Sequence, residues 1–147
     1  MNWTDIVLGL VAGVSVPMQA AINSQLRQIV ASPVLAALIS FAVGTIALFA
    51  CAAGLRAPIP EGRLVLHAPW WVWLGGVLGV FYVITAILVT PRVGAASLMA
   101  LAVIGQLTAS LVLDHYGWLG LPLQPLSALR VVGAVLLVAG VILITRF

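Results

Sequence analysis

The polar side chains that could do chemistry in this 147-residue sequence are few, and they recur at helical spacing. Gln19 and Asn23 stand four apart, with Ser15 a turn before them and Pro17 between. Gln106, Ser110 and Asp114 repeat the four-residue step farther along, with Thr108 offset and His115 beside Asp114. That spacing puts side chains on one face of a helix, so each set forms a polar stripe. Amides and hydroxyls both donate and accept hydrogen bonds without carrying charge, which suits a polar or weakly charged small solute better than a multivalent ion. The plainer reading is that such groups tie helices together, at roughly 0.6 kcal/mol each. Pro17 frees a backbone carbonyl and kinks its helix, which a plain anchor does not need. Taken together, Gln19, Asn23, Gln106 and Ser110 read as a substrate-binding set facing the interior of a bundle.

Asp114 and His115 form the one pairing of an acid with a group that titrates near neutral pH. They read as a coupling or relay pair, or else as a hydrated helix end closed by Gly117 with Tyr116 and Trp118 as interface residues; the second reading is preferred. No acid falls at a helix midpoint, so exchange of protons for a cationic drug at mid-membrane is not supported. Nor is there an enzyme signature: no metal-spaced His/Cys set, no phosphate loop, and no nucleophile with a paired base. The expectation is therefore no catalysis, no metal and no cofactor.

The elements that must carry these stripes follow from composition. The sequence is 64% hydrophobic and 6% charged, with mean hydropathy +1.28, so polar side chains are too few to cover a water-exposed globule. About 20 apolar residues cross a bilayer as a helix. Five segments qualify: Ile6 to Asn23, Pro33 to Ala53, Trp70 to Val89, Val93 to Leu113, and Leu129 to Thr145. The expected breaks are Arg27 with Ser32-Pro33, then Arg56 through Arg63, then Thr90-Pro91-Arg92, then Asp114 through Pro125. The uninterrupted apolar runs exclude a β-barrel. The connections are too short for an extramembrane catalytic domain, so residues 1–147 read as a single transmembrane domain of all-α class. The first segment lacks a basic leader and is kept as a mature helix rather than a signal peptide. Trp70, Trp71 and Trp73 read as an interface anchor. Gly75 with Gly79, and Gly133 with Gly140, are spaced to let helix backbones approach closely. Cys51, alone in an apolar run, reads as a packing residue.

All six basic residues are arginines, and there are three acids, Asp5, Glu61 and Asp114. This is no patch of the density that binds nucleic acid. Five crossings assign Arg56, Arg63 and Arg130 to the N-terminal side, and Arg27, Arg92 and Arg146 to the other. Orientation follows Lys/Arg asymmetry in short loops, and three against three is no asymmetry. The chain therefore reads as inserting both ways and pairing as an antiparallel homodimer; a fixed orientation set by some other cue is the alternative.

In this light the sequence resembles the small five-helix YdcZ-like family of the drug/metabolite transporter superfamily. The resemblance rests on the run Gln19 to Arg27, on Ser40-Phe41-Ala42-Val43-Gly44-Thr45, and on Trp70 to Gly79. It continues in Gly105 to Ser110, in Leu113-Asp114-His115-Tyr116-Gly117, and in Arg130-Val131-Val132-Gly133. It implies a half-size transporter of the bacterial cytoplasmic (inner) membrane, in a family of dual-topology homodimers. Two antiparallel copies would make ten helices with the pseudo-inverted-repeat architecture of larger superfamily members. Relatives in the small multidrug subfamily use a carboxylate in the first helix, where this chain offers Gln19 and Asn23, so their proton-coupled drug export is not carried over. The leading expectation is a small-solute transporter of unknown substrate; the alternatives are a passive channel, or a flippase of lipid-linked metabolites or an assembly subunit. Its partners would be membrane lipid, an oppositely oriented copy and a small polar solute, and not nucleic acid.

Overall fold

In the computed structural model, residues 2–58, 60, 62, 65 and 67–146 are described. The readings that involve Met1, Ile59, Glu61 and Arg63 lie outside those residues. Five helices are long and apolar enough to cross a membrane, and no strand occurs among the described residues. They are α1 (Trp3–Val30), α2 (Pro33–Gly54), α3 (Leu74–Val93), α4 (Ala95–Tyr116) and α5 (Ala128–Arg146). A 3-10 turn, Trp70–Trp73, leads into α3, and another, Trp118–Gly120, follows α4. The chain divides into two compact units, Met1–Arg92 and Val93–Phe147.

In the first unit, α1 starts at Asn2, whose backbone N–H donates to Asp5 Oδ2 at 3.2 Å, so an acid sits at the positive end of the helix dipole. The helix runs through Pro17 and on past Asn23 to Val30, seven residues beyond the expected end. Hydropathy loses the span at Ser24, Gln25, Arg27 and Gln28, but Gln, Arg and Leu are good helix formers, and nothing in that stretch breaks the ladder. Arg27 is thus a helical residue and not part of the break. Ala31, at φ 56, ends α1, and one residue later Ser32 caps α2 by accepting Leu35 N–H at 3.3 Å, with Pro33 in the first turn where its missing N–H is no loss. Ala36 and Ala37 of α2 pack with Val83 and Ile87 of α3, and Leu26 and Val30 of α1 lean on the same cluster.

The expected break at Thr90-Pro91-Arg92 is not where α3 ends. Pro91 lies in its last turn, where the ring costs one bond to Ile87, and the helix stops only at Gly94, whose φ of +83 suits glycine. The glycine spacings also do less than expected within one chain. A Cβ on Gly79 would meet the Phe41 ring at 3.6 Å, an ordinary contact, while one on Gly75, Gly133 or Gly140 would meet nothing within 4 Å. Cys51 is exposed on α2 rather than packed.

In the second unit α4 and α5 pack against each other. Helix α4 extends to Tyr116, so Asp114 and His115 occupy its last turn, and Gly117 at φ 62 closes it. Ser127 opens α5: its Oγ accepts Arg130 N–H at 3.3 Å and its carbonyl accepts Val131 N–H at 3.1 Å.

Candidate functional site

The structure treats the polar residues of α1 unequally. Gln19 is exposed and lines a groove of about 240 Å³ with Ser40, Phe41, Gly44, Thr45 and Leu48 of α2. Asn23, one turn on, is 4% exposed. The hydroxyls nearby differ in kind. Ser15 Oγ donates to the Ala12 carbonyl at 2.7 Å and Thr45 Oγ1 to Phe41 at 2.8 Å, so both are satisfied by their own helices. Neither Gln19 nor Asn23 makes a side-chain hydrogen bond to any described residue.

On α4 the contrast is the same. Thr108 Oγ1 donates to Ile104 O at 2.8 Å, whereas Gln106 and Ser110 are exposed and hydrogen-bond to no described side chain or backbone. Gln19, Gln106 and Ser110 are thus not covered within one chain. Among the described residues these groups have no hydrogen-bond partner within the chain.

Asp114 and His115 are different again, because both have partners within the chain. The Asp114 backbone carbonyl accepts Gln124 N–H at 2.8 Å, and its carboxylate lies 3.6 Å from Arg130 Nη1. Arg130 in turn donates to the Gln124 carbonyl at 3.1 Å and to the Gln124 side-chain oxygen. His115 Nδ1 accepts Leu126 N–H at 3.1 Å, which requires the ring proton on Nε2. His115 meets Tyr116 edge-on at 4.8 Å, and Tyr116 stacks on Trp118 at 5.0 Å. These contacts fold the α4–α5 connection back on the end of α4. Sequence reasoning assigned Arg130 a place in the orientation count and in the family resemblance but no partner, and Gln124 no role. The signal for both was present: the connection joins the last turn of α4 to the first turn of α5, which places their charged residues close together.

Among the described residues no three of His, Cys, Asp and Glu come together in a way that could hold a metal ion. Trp70 and Trp71 are 70% and 50% exposed, their rings edge to face at 6.1 Å, as side chains of an aromatic belt are.

No solved structure matches the chain. A family model described as "Putative inner membrane exporter, YdcZ" matches residues 5–143. The chain is 31% identical to Inner membrane protein YdcZ of Escherichia coli (strain K12) over 137 residues, covering 93% of this chain and 91% of that protein. With five bilayer-length helices and a match running nearly end to end, the chain belongs to the YdcZ family of inner-membrane proteins.

Proposed function

We propose that the chain transports a small polar solute as an antiparallel homodimer, with Gln19, Asn23, Gln106 and Ser110 supplying hydrogen bonds to that solute. The observation that carries this reading is that all four, inside bilayer-length helices, lack hydrogen-bond partners among the described residues, while the Ser15, Thr45 and Thr108 hydroxyls on the same helices or beside them are satisfied by their own helices. An unpaired amide in hydrocarbon costs several kcal/mol. A second copy that covers Gln19, Gln106 and Ser110, and a solute that bonds to them, both offset that cost. The description of the matched family as an exporter supports transport as the activity. The even split of arginines supports two orientations, and an inverted pair reproduces the repeat symmetry by which larger carriers alternate access.

The test is solute uptake into proteoliposomes and binding to purified protein, screened over small polar candidates. Asn23→Ala and Gln106→Ala should each abolish binding while the dimer persists on size analysis. Unchanged transport in both variants overturns the site. Flux far above carrier rates, without saturation, would select a channel instead.

A further inference from the structure

We infer that the C-terminal end of α1 carries a binding site for the phosphate of an anionic phospholipid headgroup, built from Ser24, Arg27 and Gln28. A groove of about 380 Å³ opens there, lined by these three residues with Ala31 and Pro91. Arg27 forms no ion pair with any described residue; the pair seen among them joins Arg130 to Asp114. Asp5 is on the same helix but 22 positions away (27 − 5), about 33 Å along the axis. Placement near a helix C-terminus accounts for a cation here but not for what surrounds it. Ser24 is only 8% exposed, lines the groove, and its hydroxyl bonds to no described residue. The Ser24 residue is largely covered while its oxygen is left open to the cavity, which also holds a free guanidinium and a carboxamide.

The chemistry of that set selects the ligand. Guanidinium, carboxamide and hydroxyl all donate, one positive charge is present, and a phosphate offers several acceptor oxygens to such a fork. The position selects the source. Helix α1 has 28 residues and spans about 42 Å, longer than the roughly 30 Å hydrocarbon layer. With its midpoint near Pro17 at the bilayer centre, the Arg27 backbone lies about 15 Å away, at the edge of the hydrocarbon layer, from which a side chain of this length extends to the phosphates. This site is independent of the solute reading above.

The experiment is titration of the purified full chain in detergent, followed by native mass spectrometry and thermal shift. The probes are phosphatidylglycerol, phosphatidylcholine of the same acyl chains, and inorganic phosphate. Phosphatidylglycerol should bind and raise Tm, phosphatidylcholine should bind less, and inorganic phosphate at equal concentration should not compete. Arg27→Gln should weaken phosphatidylglycerol binding about tenfold, Ser24→Ala should weaken it severalfold, and Arg27→Lys should fall between Arg27→Gln and the natural protein. Arg92→Gln, in the last turn of α3 and outside the groove, reports general charge attraction and should change binding less than about twofold. Equal losses in Arg27→Gln and Arg92→Gln, or full binding in both Arg27→Gln and Ser24→Ala, overturn the site. Saturation by inorganic phosphate without lipid preference overturns the lipid assignment.

Discussion

Arg130 Nη1 lies 3.6 Å from the Asp114 carboxylate while the same guanidinium reaches the backbone and side chain of Gln124. One residue in the first turn of α5 therefore ties down both the last turn of α4 and the loop between them. Arg130 and Asp114 are each about a third exposed (32% and 30%), so the ion pair by itself is worth at most about 1 kcal/mol, and the hydrogen bonds to Gln124 add a comparable amount. Arg130→Ala should cost about 1–2 kcal/mol and open residues 117–127 to protease. Arg130→Lys keeps the charge but loses the fork, and should recover about half of that. Unfolding in detergent and limited proteolysis measure both, and identical behaviour of Arg130→Ala and the natural chain would remove the clasp.

His115 serves the same connection through a different bond. Its Nδ1 accepts Leu126 N–H at 3.1 Å, which fixes where the chain turns towards α5. Replacing His115 with Phe keeps a ring but removes the acceptor. The bond is exposed, so water takes over part of its role, and the expected loss is about 0.5–1.5 kcal/mol. Amide exchange at Leu126 should accelerate roughly two- to tenfold in His115→Phe, with less change in His115→Gln, whose carbonyl can accept. Equal exchange in all three proteins would show that the bond does not hold the loop.

Gly117 is required by backbone shape. Its φ is +62, and a Cβ there would stand 3.4 Å from the Leu121 carbonyl oxygen and 3.5 Å from Leu123 Cδ1. Gly117→Ala should destabilise by about 1–2 kcal/mol. Gly117→Asn should cost less, because Asn tolerates the left-handed region better. A thermal-unfolding order of Gly, then Asn, then Ala checks this; Ala equal to Gly would contradict it.

The five helices were legible in the sequence because each is a long apolar run, and bilayer thickness sets one length for all of them. Their ends were less so. Hydropathy sees polarity, so it lost α1 at Ser24 although the ladder continues to Val30, and it took Thr90-Pro91-Arg92 for a break although Gly94 provides it. The stripe residues were legible as well, because four-residue spacing is a property of sequence. Whether each is covered was not, since Asn23 is buried and Gln19, four residues away, is open. The partners of Asp114 escaped for a related reason. Arg130 is sixteen residues distant (130 − 114), and only the fold of the connection brings it back. Ser24 drew no notice as a short polar residue among longer ones, and its meaning depends on burial, which spacing does not encode.

The arginine count gives a prediction with opposite signs in two variants. The five-crossing reading of the sequence assigns Arg56, Arg63 and Arg130 to one side and Arg27, Arg92, Arg146 and the C-terminus to the other, and the side richer in arginine stays cytoplasmic. Arg56→Ala leaves two against three, so more molecules should insert with the C-terminus in the cytoplasm. Arg92→Ala leaves three against two and should move the C-terminus outwards. Fusions of the C-terminus to a cytoplasm-only and a periplasm-only reporter read this directly: both should be active in the natural chain, the first should gain in Arg56→Ala, and the second in Arg92→Ala. A chain pinned by a stronger cue would light one reporter in all three proteins. Because removing a single charge tips a balanced count but scarcely moves a lopsided one, the size of the two shifts measures how evenly the natural sequence is poised.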